Sequence, residues 1–172
     1  MRSARCVAEL LSCKHGLDLA CALGMEAFRR IVVATDFGDS SENALQRAGD
    51  LANRYSAELI VVHVVEILSP AFPIAMTPDP AHIAAAAEQG LLSVLERVQA
   101  TVPAARSVLL KGSPAEEVVL FVADHMVDLV VVGTHGRHGP SRWLLGSVAE
   151  KLVRSCKAAV LTVRGSKPDR GR

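Results

Sequence analysis

The chain has 172 residues and a formal net charge of +1, half of its residues are hydrophobic, and only 3% are aromatic. That length favours one domain with an aliphatic core. The near-neutral charge excludes a basic field able to hold nucleic acid by counterion release, and the shortage of aromatics argues against stacking platforms for single strands. No apolar run reaches the ~18 residues that suggest a spanning helix, so neither nucleic acid nor membrane is an expected partner.

Residues 1–27 differ from the rest. They hold Cys6, Cys13 and Cys21, whereas the main body has only Cys156. No CxxC pair exists, and a reduced, cytoplasmic setting is expected. Glu9, Lys14, His15 and Asp18 interrupt any apolar signal-peptide core. The segment reads as an extension, disordered or belonging to an upstream start with Met25 as the true one. The alternative is a short helix with the three cysteines near one face.

From residue 28 strands and helices alternate. Ile31–Ala34 is a short apolar run and reads as a buried strand. Asp36–Ser40 is turn chemistry, with Ser40 as the expected N-cap of a helix that carries Ala44, Leu45, Ala48, Leu51 and Ala52. Leu59–Val65 is a second strand, apolar enough to expect burial on both faces, with His63 as a hydrogen-bonded core histidine. Pro70, Pro73, Pro78 and Pro80 exclude a continuous helix over 66–80. A helix is predicted from Ala81 to about Thr101, with Leu91, Leu92, Leu95 and Val98 as its apolar stripe. Ser107–Leu110 is a third strand, and Ser113-Pro114 opens a helix as N-cap and first residue. Glu116 and Glu117 fit that helix's positive end. Asp128–Gly133 is the fourth strand. After a glycine-rich loop come a helix from about Trp143 to Ser155 and a last strand, Ala159–Val163. Residues 166–172 form a polar tail. The alternation predicts an α/β domain with a parallel sheet and helices on both faces. Ligands in such folds sit beyond the carboxyl ends of the strands.

The loop after the fourth strand carries the chemistry. Gly133, Gly136 and Gly146 lack a Cβ, so the backbone can approach a phosphate closely. Successive N–H groups and a helix start beside them favour an anion. Arg137 and Arg142 would add charge; His135 and His138 are either phosphate contacts or solvated. A glycine-rich turn without ligand stays open on these grounds alone. Asp36 ends the first strand and reads either as an Asx-turn former or as a ligand group.

The spacing Gly133, two residues, Gly136, nine residues, Gly146-Ser147 resembles the nucleotide loop of the universal stress protein family. Val131–Gly136, Leu145–Ala149, Arg30–Phe37 and Val62-His63-Val64 are similar to that family's wording, so the resemblance spans about residues 28–164. It implies a single Rossmann-like, doubly wound domain over 28–165, with a five-stranded parallel sheet in the order 3-2-1-4-5. It also implies homodimers, with the last strand as a plausible shared edge. The likeness is to the ATP-binding branch. Asp36 would meet the ribose or adenine side, and Ala34 and Val64 would line the adenine pocket. Val132, Gly133, Gly136, Gly146, Ser147, Val148 and Ala149 would hold ribose and phosphates. Mg2+ is admitted as a companion of the phosphates. Ala34 and Ala159 stand where the family often has proline.

No Walker pattern, nucleophile elbow or S-G-G-x-D-S loop accompanies these residues. Rapid turnover is therefore not expected, although slow ATP hydrolysis is compatible with the sequence. The leading expectation is a nucleotide-dependent regulator of stress survival or dormancy acting on an unnamed protein partner. A slow nucleotide-handling enzyme and an interaction module without nucleotide are the alternatives.

Overall fold

The computed structural model describes residues 28–66, 79–134 and 145–165. The N-terminal extension, Gly136, the loop histidines and arginines, Trp143 and the polar tail lie outside these residues. In chain order the elements are β1 (Arg30–Ala34), α1 (Asp39–Tyr55), β2 (Glu58–Val65), α2 (Pro80–Gln99), β3 (Arg106–Lys111), α3 (Pro114–Asp124), β4 (Leu129–Gly133), α4 (Ser147–Ser155) and β5 (Ala159–Val163). The five strands form one sheet in the order β3-β2-β1-β4-β5, and every pairing is parallel. The α/β class and the strand order agree with expectation.

The order follows from crossover geometry. Right-handed connections through α1 and α2 build the sheet outward from β1 on one side. The next connection, through α3, returns across the sheet to place β4 beside β1, and α4 continues outward to β5. The direction of travel reverses, so the two pairs of helices cover opposite faces. Ile31, Val33, Leu59, Val61 and Val131 face α1 and α2. Val32, Ile60, Val62, Val130 and Val132 face α3 and α4. Alternate side chains along a strand thus feed two cores, which is why these strands read as unbroken apolar runs.

Local details depart from the sequence reading in four places. The N-cap of α1 is Gly38, two residues before the predicted Ser40. Asp36 and Ser41 already bind the backbone around Gly38, and Ser40 is buried. In α2 the inward stripe is Ala87, Leu91, Val94 and Val98, whereas Leu92 is 51% exposed. The helical period puts Leu92 about a hundred degrees away from Leu91, outside the arc that the sheet covers. The last helix begins at Ser147 with Gly146 as N-cap, not near Trp143. Burial of β2 stops at Val62, and His63 to Val65 are half-buried; the cause lies in how β1 ends, described below.

Contacts at both ends fix how the sheet is joined. At the amino ends, Glu58 accepts from Arg30 Nε and Arg106 Nε, both at 2.6 Å, so one carboxylate ties β1, β2 and β3. The same Arg30 reaches the His125 carbonyl after α3, and Asp128 Oδ2 accepts the Arg29 and Arg30 N–H groups at 2.8 Å. At the carboxyl end, a Cβ on Gly133 would lie 2.8 Å from the Ser40 carbonyl carbon and 2.9 Å from its Cβ. Glycine at this position therefore lets α1 close directly onto the end of β4.

Hydrogen bonds from Arg106 and then Arg30 hold the Glu58 carboxyl below its ordinary 4.5. A depressed carboxylate contributes stability above its unfolded pKa and loses it as pH falls through the folded value. Glu58→Gln is expected to lower Tm at pH 7 and to flatten the loss of Tm below about pH 4.5; melting curves across pH check both. Gly133→Ala is expected to cost about 1–3 kcal/mol by overpacking, read by chemical denaturation. Ser40→Gly is expected not to rescue it, because the nearest obstructing atom is backbone.

Candidate functional site

The site arises because β1 stops before β2 does. Ala34 is its last residue, paired with Val62 on one side and Val132 on the other. Thr35 keeps one more bond, from its N–H to the Val62 carbonyl at 2.9 Å, and the chain then turns away to α1. β2 runs on to Val65 beside β3, and Gly133 stays paired with Val163 of β5. The space that β1 vacates is a crevice of about 480 Å3. It lies where the connections diverge to opposite faces, the position at which ligands bind in open α/β sheets.

The floor and walls are aliphatic: Ala34 from β1, Val62 and Val64 from β2, Val118 from α3, Val132 from β4 and Val148 from α4. Thr35, Asp36, Ser41 and Glu66 add oxygen atoms on the β1 and β2 side. Gly146, Ser147, Val148 and Ala149 close the opposite side with the start of α4. Gly146 brings no side chain to cap that helix, and no side-chain cap is made. Its own N–H is bonded to the Thr134 carbonyl at 2.8 Å, and its carbonyl accepts from Glu150 at 2.9 Å. The helix itself supplies no acceptor for the N–H groups of Ser147, Val148 and Ala149. That end of the crevice is thus suited to an anion by backbone donors and the helix dipole. The Thr134–Gly146 bond also brings Thr134 and Gly146, which flank the glycine-rich loop, together beside the crevice.

The loop between β1 and α1 is held from several directions. Gly38 N–H donates to Asp36 Oδ1 at 3.0 Å and Phe37 N–H to Thr35 Oγ1 at 3.1 Å. Ser41 Oγ lies 3.1 Å from Thr35 Oγ1 and donates to the Gly38 carbonyl at 2.8 Å. Asp36 therefore forms the Asx-turn and also lines the crevice; the two sequence readings of this residue are compatible. His63 Nδ1 lies 2.8 Å from the Thr35 carbonyl. A carbonyl only accepts, so Nδ1 donates. The histidine is hydrogen-bonded as expected, but it borders the crevice and is not a core residue.

Of the residues singled out in the sequence, Ala34, Asp36, Val64, Val132, Gly133, Gly146, Ser147, Val148 and Ala149 all line this one crevice. Gly136 lies outside the described residues. Pro114 and Val118, which reach the crevice from α3, and Val62, His63, Glu66, Thr35 and Ser41 also line it, beyond the residues expected there. Thr35 and Ser41 carried a signal in their nearness to Asp36. Pro114 and Val118 carried none, because only the long crossover from β3 to β4 brings α3 over this space. Among the described residues no lysine or arginine lines the crevice, and no cluster of three or more His, Cys, Asp or Glu could hold a metal ion. Among them, too, no helix is long and apolar enough to cross a membrane.

Comparison with known proteins agrees with this geometry. The profile of the universal stress protein family matches residues 27–164. Universal stress protein MJ0531 of Methanocaldococcus jannaschii is 30% identical over 150 residues, covering 85% of this chain and 88% of its own. Universal stress protein A homolog 1 of Coxiella burnetii is 32% identical over 142 residues, covering 79% and 96%. Among solved structures, universal stress protein UspA from Lactobacillus plantarum shares the fold at a TM-score of 0.72 and 24% identity, over 81% of this chain and 99% of that one. A universal stress protein crystallised in complex with cAMP aligns at a TM-score of 0.62 and 29% identity, over 82% and 100%. With its glycine-framed crevice, its strand order and a family match over nearly all the described residues, the chain belongs to the universal stress protein family.

Proposed function

We propose that this protein binds an adenine nucleotide, ATP in the first place, in the crevice between the ends of β2 and β4, and that it acts as a nucleotide-dependent regulator in the cytoplasm during stress. The observation that carries the reading is the division of one crevice into two chemistries. Aliphatic side chains at Ala34, Val62, Val64 and Val132 suit a flat base, and the uncapped start of α4 suits phosphate. The relative crystallised with cAMP supports the same ligand class. In this reading Asp36 accepts from the ribose or the base. Gly133, Gly146, Ser147, Val148 and Ala149, together with Gly136, hold ribose and phosphates. Mg2+ would be held chiefly by the phosphates. A regulatory role is favoured over an enzymatic one because the sequence carries no Walker pattern and no nucleophile elbow. Occupancy would alter the surface offered to a protein partner. A second copy of the chain would pair along β5, the edge strand, where Leu161 is 37% exposed.

Mass spectrometry of nucleotide released from freshly purified protein is expected to find an adenine nucleotide. Added ATP at a hundred times Kd is expected to raise stability by about 2.7 kcal/mol. Absence of both a released nucleotide and any thermal shift with ATP, AMP or cAMP would overturn the reading. Turnover above about 1 per second would make the protein an enzyme. Asp36→Ala is expected to weaken ATP binding roughly ten- to a hundredfold, since a hydrogen bond to a charged acceptor contributes about 1.5–3 kcal/mol. Unchanged affinity in calorimetry removes Asp36 from the site. Leu161→Lys is expected to shift the sedimentation of the protein from dimer to monomer; an unchanged dimer places the contact elsewhere.

A further inference from the structure

Phe37 has a φ of 62°, in the left-handed region. Among the described residues Ser56 and Met126 share that region, but both stand at helix C-terminal ends, where the left-handed conformation is a common way to finish a helix. Phe37 stands between a strand and a helix start. A bulky side chain there is an outlier that persists only where the surroundings hold it.

What holds it is a contact across the fold. The Phe37 ring lies 4.3 Å from the His63 ring, centroid to centroid, at 36°. On its far edge it meets α2 at Gly90, where a Cβ would come within 3.2 Å of the ring's Cζ. Glycine inside a helix is unfavourable, as is phenylalanine at positive φ. One contact explains both: the missing Cβ of Gly90 makes room for the ring, and the ring keeps the backbone at Phe37 in place. His63 in turn is fixed by its bond to the Thr35 carbonyl. The loop is thus clamped on both sides of Asp36. Local rules broken together at one place are expected where function requires the geometry.

We propose that Phe37, seated between His63 and Gly90, is a positioning residue for nucleotide binding: its ring holds the left-handed backbone that sets Asp36 on the crevice wall. This rests on the nucleotide reading above. Phe37 does not touch the ligand in this scheme and acts only through Asp36. Without the ring the loop has other conformations open to it, and if the competent one falls to about a tenth of the population, Kd rises about tenfold.

The test is a double-mutant cycle read by calorimetry with ATP. Phe37→Gly removes the ring and at the same time relieves the backbone strain. It is expected to raise Kd about tenfold in the native protein and to change it by less than about twofold in an Asp36→Ala background, because residues acting through one another are not additive. Gly90→Ala provides a second arm if Phe37→Gly folds poorly. It crowds the ring from the helix side and favours the helix, so ATP affinity is expected to fall while Tm holds or rises. A merely structural role would move both in the same direction. Equal losses of affinity in the two backgrounds, or unchanged affinity on Phe37→Gly or Gly90→Ala, overturn the proposal and leave the nucleotide reading standing. Native protein that binds no adenine nucleotide overturns that reading and this inference with it.

Discussion

The site depends on the early end of the central strand. β1 is hydrogen-bonded on both sides along its length, so its direction and register are fixed by β2 and β4 together. At Thr35 it leaves the sheet while its neighbours continue. Buried backbone groups must be paired, and the chain satisfies those beyond β1 locally, through Thr35, Asp36 and Ser41. The same hydrogen bonds that end the strand therefore build one wall of the crevice. Its opposite wall is the start of α4, which leaves toward the other face.

Glycine has two different uses around this crevice. Gly133 has the close-approach character expected from a phosphate loop, but its immediate neighbour is the backbone of Ser40. The residue lets α1 and β4 meet, whatever the crevice holds. Gly146 instead leaves the start of α4 without a side-chain cap, an end that suits an anion. Gly133, which also lines the crevice, is therefore answerable to stability as well as to ligand affinity, and Gly146 to affinity.

Much of the fold could be read from sequence because parallel strands buried on both faces are distinctive. Ile31–Ala34, Leu59–Val65 and Leu129–Gly133 could be recognised as continuous apolar runs, and the helices between them by their 3.6-residue period. The residues of the crevice were legible to the extent that they lie at strand ends or beside glycine. His63 reads as a core residue because its strand neighbours are apolar; only the departure of β1 opens that position. Leu92 reads as part of the apolar stripe because it stands next to Leu91, and composition does not say which of two adjacent leucines faces the sheet. Pro114 and Val118 were invisible as site residues, since they are distant in sequence from everything else in the crevice.

The sequence by itself determined the class of fold, the loop that carries glycine, the position of Asp36 and the family resemblance. These are properties of neighbouring residues: period, spacing and turn chemistry act over a few positions along the chain. Tertiary structure alone decided that a Cβ at Gly133 would meet the backbone of Ser40, that His63 faces a crevice, that α3 supplies a wall, and that a Cβ at Gly90 would crowd the ring of Phe37. Each of these joins residues far apart in the chain, and the distance between them is set by crossover connections and packing that no local pattern encodes.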